Sequence, residues 1–582
     1  MPSRPPNVIL VLTDDQGYPP ICANGHSFVQ TPHLDRFHAE AVRFEQFHSG
    51  TTCAPTRAGL LTGHYCNSTG VWHTVGGRSL LRADEWTLAD ALGEAGWRTG
   101  VFGKWHLGDA YPYRPQDRGF QRSIVHGGGG VGQTPDWWGN DYFDDTYLVD
   151  GVPTPFDGYC TDVFFAEALK FIEASPDSPC FCFISTNAPH SPFNVPPQFQ
   201  ALYAGKTVTE NYARFLAMIT NIDQNFGALR ARLASAGLEQ NTILIFASDN
   251  GQCPLAVGAE PDAFNGGMRG LKGSMFEGGH RIPFFMRWPD GDVGQREVAV
   301  NAAYIDLMPT LLDLCAVETP SGRAFHGCSL AALARGASAG PEWAARVLVT
   351  DTQRVPRPIK WRLSCVMRGS WRLINGEALY DLATDPGQRR DVAAEHPRIV
   401  ADLRDAYEVW WELCDRQADE TIPIVVGEDA AAALLTSHDL RNDAGDGVWN
   451  QGQVRRGEAC AGYWEVKVAA RGRYEISLHR WPPETRRALR DGIEGADVAF
   501  RSDAIAEPDW QLYVGGTALP VEAGRVDIGE QTHVVAVADG QPSARLALTL
   551  EAGEMPLRAW FTGPGGLKQS PYYVQIRRID GV

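Results

Sequence analysis

Asn7-Val8-Ile9-Leu10-Val11-Leu12-Thr13-Asp14-Asp15 decides the fold class. An apolar run rich in β-branched residues and closed by two carboxylates reads as a buried central strand that delivers charge at its carboxyl edge. Asn241-Thr-Ile-Leu-Ile-Phe-Ala-Ser248 repeats the device and runs into Asp249-Asn250-Gly251. A third run, Cys180-Phe-Cys-Phe-Ile-Ser185, leads into Asn187-Ala-Pro-His190. Helices are expected between them at 87–96, 162–174 and 212–237. Strands alternating with helices predict an α/β fold, a large mixed sheet sandwiched by helices. Ligands bind beyond the carboxyl ends of such strands, where Asp14, Asp15, His190, Asp249 and Asn250 fall.

Outward from that core the texture changes. From about residue 346, short strand candidates at 346–350, 362–367 and 371–374 precede a helix near 397–414. Thr421-Ile-Pro-Ile-Val-Val-Gly427 reads as a linker. Alternating strands at 462–468, 472–478, 544–550 and 572–576, separated by Gly and Pro turns, predict a β-sandwich. The expected division is a catalytic α/β domain over 1–340, an antiparallel-sheet subdomain over 341–420 and an accessory sandwich-like domain over 428–582.

Composition bounds the function. The 582 residues are 44% hydrophobic and 21% charged, as in ordinary globular proteins. With 70 acidic against 52 basic residues the formal charge is −18, which disfavours nucleic acid and anionic membrane as partners. An anionic substrate would need a locally positive pocket. No apolar run approaches the ~20 residues of a membrane helix. The opening Met1-Pro2-Ser3-Arg4-Pro5-Pro6-Asn7 shows no secretory leader, so a cytoplasmic location is expected, or a periplasmic or secreted one where a leader has been removed. The 12 cysteines show neither zinc spacing nor a disulfide framework and are expected to be mostly reduced and buried. Oligomeric state is left open.

Asp14, Asp15, Asp249 and Asn250 supply oxygen ligands from two strand ends, a set that suits a hard divalent cation, Ca2+ before Mg2+. Alone, paired aspartates after a strand are more often a helix cap or a solvated turn. A lone cysteine is more often a small buried hydrophobe, but Cys53-Ala54-Pro55-Thr56-Arg57 is followed by Ala-Gly-Leu-Leu-Thr-Gly63. Further blocks are Gly103-Lys104-Trp105-His106-Leu107-Gly108, Ala188-Pro189-His190, and Gly270-Leu271-Lys272 with Phe276-Glu277-Gly278-Gly279 and Arg281-Ile282-Pro283.

In this order the blocks resemble type I, formylglycine-dependent sulfatases, arylsulfatase-like members of the alkaline phosphatase superfamily. The likeness spreads over about residues 7 to 415 and takes in Asp306 and Pro309-Thr310. It implies that the strands after 346 form the small antiparallel subdomain closing that fold, and that a formylglycine-generating enzyme oxidises Cys53. It also implies one Ca2+ per chain on Asp14, Asp15, Asp249, Asn250 and an oxygen of modified Cys53. One hydroxyl of the hydrated aldehyde would attack sulfur, and the other would later expel sulfate. Arg57 would hold the modified side chain and a metal ligand in register. Lys104 would bind sulfate, His106 would contact the formylglycine, His190 would protonate the leaving oxygen, and Lys272 would contact the bridging oxygen. Glu277 and Arg281 are expected to be structural.

The implied activity is hydrolysis of aryl or carbohydrate sulfate esters. A phosphonate monoester or phosphodiester hydrolase of the same superfamily fits the same motifs, and a noncatalytic carbohydrate-binding protein is the rival of another class. Residues 136–144 and 265–269 are weaker substrate-facing candidates, equally readable as ordinary loops. Trp449, Trp464, Trp481, Trp510 and Trp560 are readable as sugar platforms, though sandwich-core aromatics are commoner.

Overall fold

Along Asn7–Thr13 successive side chains enter opposite cores, as the period of two requires. Val8, Leu10 and Leu12 join one apolar cluster, and Ile9 and Val11 join another. Each such side chain, once buried, contributes roughly 1.5–3 kcal/mol, so this strand belongs where both faces are covered. The computed structural model, describing residues 4–258, 260, 263–429, 432–443, 447–501, 503–505 and 511–580, places it there.

It lies inside a ten-stranded sheet ordered Arg296–Ala303, Val42–His48, Phe284–Arg287, Thr242–Ser248, Asn7–Thr13, Cys180–Ser185, Arg98–Lys104, Arg122–His126, Thr146–Val149, Val152–Pro155. The run from Thr242–Ser248 to Arg122–His126 is parallel. Antiparallel neighbours at Phe284–Arg287 and Thr146–Val149 make the sheet mixed, as expected. Helices Pro32–Glu40, Cys160–Glu173 and Glu210–Ser235 cover one face, and Cys53–Thr62, Leu88–Glu94 and Leu307–Cys315 the other. Thr13 pairs with Ser248, and Gly103 with Ser185. That register brings Asp14, Asp249, Lys104 and the segment leading to His190 out at one edge. Gly103 has φ 115, and a Cβ there would lie 1.9 Å from the Ser185 carbonyl oxygen, so the close strand packing beside Lys104 requires glycine.

Leu348–Asp351, Ser364–Arg368, Trp371–Ile374 and Ala378–Asp381 form an antiparallel sheet. It shares its core with helix Pro397–Asp415 and one face of the large sheet. Further on, a six-stranded and a four-stranded sheet share a third apolar cluster and form a sandwich.

The segment read as a linker is not one. Ile424–Val426 is a strand pairing in parallel with Trp464–Val468, and Ile422, Ile424 and Val426 point alternately into the sandwich core. Trp464 and Trp481 are buried in that core, while Trp560 lies under Arg525 and Lys568. Trp510 lies outside the described residues. Among the described residues no helix is long and apolar enough to cross a membrane. The cysteines are unpaired, and all but Cys22 and Cys328 are buried.

Candidate active site

Helix Cys53–Thr62 begins at the motif cysteine. Pro55 falls in its first turn, where the donor a proline lacks would have no helical partner anyway. A Cβ on Gly59 would meet the Tyr304 ring at 2.0 Å, so this glycine lets the helix seat closely. Cys53 thereby sits, 1% exposed, at the positive end of the helix dipole, which favours an anion beside it.

The carboxylates that end Asn7–Thr13 meet it there. Cys53 Sγ is 3.3 Å from Asp14 Oδ1 and 3.7 Å from Asp15 Oδ1. Lys104 Nζ donates to Asp14 Oδ2 at 2.6 Å, both side chains at 0% exposure. Lys272 Nζ reaches both oxygens of Asp15, at 2.7 and 2.8 Å, and lies 3.2 Å from Sγ. Burial would push the Asp15 carboxyl up, but Lys272, His190, Lys104 and the Asn250 amide hold it well below the usual carboxylate range. Asp15 takes a left-handed φ of 62, tied down by its N–H on Asp249 Oδ1 at 3.0 Å and by its carbonyl on the Cys253 N–H at 3.1 Å. Burial, and then Asp14, push the Cys53 thiol up, so the unmodified side chain is a neutral thiol.

Arg57, one turn along the helix and fully buried, makes no hydrogen bond to Sγ among the described residues. Its guanidinium donates to Asp249 Oδ2 at 2.9 Å, to the Lys104 carbonyl at 3.1 Å and to the Ser185 hydroxyl. Burial and the Asp14 charge push Asp249 up to about 7 against the pull of Arg57. Asn250 donates to Asp15 Oδ1 at 2.7 Å, and its Oδ1 is buried without a partner.

His190 Nε2 stands 3.8 Å from Asp15 Oδ2, while Nδ1 bonds the Ser191 carbonyl. Burial and Lys272 bring its pKa down to about 3, so it is neutral near pH 7. His106 Nε2 lies 2.9 Å from the Thr74 carbonyl, which makes Nε2–H the donor and leaves Nδ1 buried and bare. Burial, with Lys104 nearby, holds its pKa well below the usual value.

Ligand atoms of Asp14, Asp15, Cys53 and His190 all lie within 4.8 Å of one another. Asp249, of the expected metal set, is turned to Arg57 and to the Asp15 N–H, and the His190 ring joins Asp14, Asp15 and Cys53 in the cluster. The unpartnered Asn250 oxygen, the hard oxygen donors and the raised Asp249 nevertheless fit a divalent cation.

Asp15, Cys53 and His190 floor a cavity of ≈ 440 Å³, whose walls include His106, Gln133, Leu255, Arg354 and Trp449. Sequence reasoning did not single out Gln133, Leu255 or Arg354, which carry no strand-end or motif signal, nor Ser185, which the strand-end rule would have found. The weaker candidates are structural. Asp136 accepts the Gly132 N–H, Asp141 accepts the Phe143 N–H, and Trp138 packs on Trp481. Asn265 ties down backbone carbonyls, and Arg269 covers Phe276. Glu277 pairs with Arg372, Arg281 covers Tyr18, and Asp306 holds Arg346 with both oxygens.

A family model described as Sulfatase matches residues 6–317. The mouse N-acetylgalactosamine-6-sulfatase is 29% identical over 355 residues, covering 56% of this chain and 66% of that protein. The chain therefore spans just under two thirds of that relative's length. The solved structure of Ps i-CgsB in complex with k-i-k-neocarrahexaose superposes with TM-score 0.64 at 23% identity, over 72% of this chain and 94% of the other. Phosphonate monoester hydrolase of Agrobacterium radiobacter gives TM-score 0.53 at 20% identity, over 71% and 97%. At such identities the two structures share the fold alone.

Proposed function

The chain belongs to the sulfatase family, and from that premise we propose that it hydrolyses sulfate esters of carbohydrates or aryl alcohols. Ester and water give the alcohol or phenol and inorganic sulfate. The observation that carries this reading is the setting of Cys53 Sγ, at a helix N-terminus between the Asp14–Lys104 and Asp15–Lys272 pairs. The mouse relative's name supports a sulfated carbohydrate as the substrate.

Oxidised to formylglycine by a maturation enzyme, Cys53 would supply a hydrated aldehyde, one hydroxyl attacking sulfur and the other expelling sulfate as the aldehyde reforms. Asp14, Asp15, Asp249 and Asn250, with an oxygen of the converted side chain, would hold one divalent cation, Ca2+ before Mg2+. Bound, it would neutralise sulfate oxygens and acidify the attacking hydroxyl. Lys104 and Lys272 set positive charge beside Sγ for the sulfate and for the departing oxygen. Arg57 fixes Asp249, and His106, lining the same cavity as Cys53, would offer its bare Nδ1 to a hydroxyl on residue 53. His190 Nε2 faces the cavity beside Asp15, and in its charged form it would protonate the leaving oxygen.

The test joins mass spectrometry of the tryptic peptide 44–57 to rates on an aryl sulfate, sulfated saccharides and an aryl phosphonate. We expect loss of the elements of hydrogen sulfide, gain of one oxygen, and faster release of sulfate than of phosphonate. An unmodified thiol in active enzyme overturns the nucleophile. A large phosphonate preference overturns the sulfatase reading in favour of the phosphonate or phosphodiester hydrolase.

A further inference from the structure

Two residues of the cavity wall come from parts of the chain that the sulfatase motifs do not touch. Arg354 follows the strand Leu348–Asp351 of the small antiparallel sheet, and Trp449 belongs to the C-terminal segment that carries the sandwich. Both face the cavity that Cys53, Lys272 and His190 floor.

Trp449 is held in place by its backbone. Its N–H donates to Gln453 Oε1 at 2.8 Å, and its carbonyl accepts the Thr134 N–H at 2.9 Å. Asn450 bridges to Gln133, and the Gln451 N–H donates to the Gly132 carbonyl at 2.9 Å. The Gln451 amide then donates to the carbonyls of Gln133, Asp136 and Trp137. Residues 449–451 are thus laced onto the loop that supplies Gln133 to the same wall. These contacts fix the backbone from which the Trp449 side chain lines the cavity, where an indole would serve a sugar ring as a platform.

Arg354 differs from Lys272, which also lines the cavity and is matched by Asp15. The guanidinium of Arg354 is exposed, makes no hydrogen bond or ion pair among the described residues, and lies near enough to Lys272 to depress it electrostatically. In a chain of formal charge −18, an unmatched guanidinium at the rim of an anion site has one evident use, a second anionic group. The cavity, at ≈ 440 Å³, falls within the range of about 300–1,000 Å³ typical of small-molecule sites.

We propose that the substrate is a saccharide carrying at least two anionic groups, with the ring of the reacting sulfate against Trp449 and a second sulfate or carboxylate on Arg354. The inference rests on the sulfatase reading and names the substrate within it.

The experiment compares kcat/KM on a monosulfated hexosamine with that on its disulfated counterpart sharing the reacting sulfate, and adds an aryl sulfate as a control. The parent enzyme should favour the disulfated sugar. Arg354→Ala should cut that preference about tenfold, and Arg354→Lys should recover part of it. Trp449→Ala should raise KM on both sugars about tenfold, and Trp449→Tyr should recover most of the loss. Thermal melting of each variant separates lost folding from lost binding. A parent enzyme that treats the two sugars alike overturns the proposal, as does a preference that survives in Arg354→Ala, or a KM indifferent to Trp449. Failure to release sulfate from any of the three compounds counts against the sulfatase reading instead.

Discussion

His48, Glu277 and His280 converge against Arg372 of the small antiparallel sheet much as Asp14, Asp15, Cys53 and His190 converge beneath the cavity. Both groups are buried, and both pair carboxylates with basic side chains. In the first, Arg372 donates to Glu277 at 2.5 Å and also reaches Gln46 and Asn301. Burial keeps both imidazoles of that group neutral, and none of its three members lines the site cavity. The second stacks carboxylates and cations against one another, leaves the Asn250 oxygen and His106 Nδ1 unpartnered beside it, and opens on the cavity. Glu277 Oε2 is unpartnered too, so access makes the difference: similar side chains make a structural tie where they are sealed from the cavity, and a candidate reaction site where several charges remain answerable to a ligand.

Exchanging the damage tests this contrast most severely. Cys53→Ala should lower sulfate release by about 10⁴-fold or more with little change in melting temperature. Glu277→Ala should do the reverse. It strands the Arg372 guanidinium in the interior and should remove about 3–5 kcal/mol of stability, while the folded fraction keeps its turnover. Denaturant titrations beside initial rates would show it, and a stable but inactive Glu277→Ala enzyme would erase the distinction.

Acid provides a milder probe. Burial takes His280 down to about 4 from its ordinary 6.5, and His48 is also lowered. The unfolded chain binds these protons first, so stability is fully present above about pH 6.5 and is lost as the pH falls toward 4. His280→Gln should flatten that slope by up to about 3 kcal/mol, since each tenfold difference in proton affinity between folded and unfolded chain is worth roughly 1.4 kcal/mol. A melting profile of the variant that still fell in parallel with the parent's would place the acid sensitivity elsewhere.

The smallest effect separates the clusters by ligand. Ca2+ at about 100 times its dissociation constant should stabilise the parent by about 2.7 kcal/mol. Asp14→Asn should lose most of that gain, and Glu277→Ala should keep it. Thermal shift with and without chelator measures both, and an undiminished Ca2+ response in Asp14→Asn would remove Asp14 from the metal set.

Much of the site was legible because its members end fully buried strands, where apolar runs stop abruptly at Asp14 and Asp249, or because they lie in short blocks around Cys53, Lys104, His190 and Lys272. Which lysine faces which carboxylate was not legible, since that depends on three strand ends meeting at one edge. Arg354 and Trp449 belong to no periodic pattern, and only tertiary packing brings them to the cavity. The strand Gly553–Gly563, central to the six-stranded sheet, escaped notice because Pro556 and its glycines suggest a turn. The proline is tolerated because the ladder with Ala523–Ile528 begins only at Leu557. Ile424–Val426 was missed for a similar reason, its short alternation hidden between Pro423 and Gly427.

That short strand has a consequence for anyone who would shorten the protein. Leu80, Ala110, Tyr113 and Trp138, all from the first part of the chain, sit in the sandwich's own core beside Ile424 and Val426. A chain cut ahead of Ile422 would keep every residue of the candidate catalytic set, yet it would turn those four side chains toward water as a new sticky patch and take Trp449 from the cavity wall. The excised enzyme would be prone to self-association and less selective at once, because the same C-terminal segment both shields its flank and finishes its cavity.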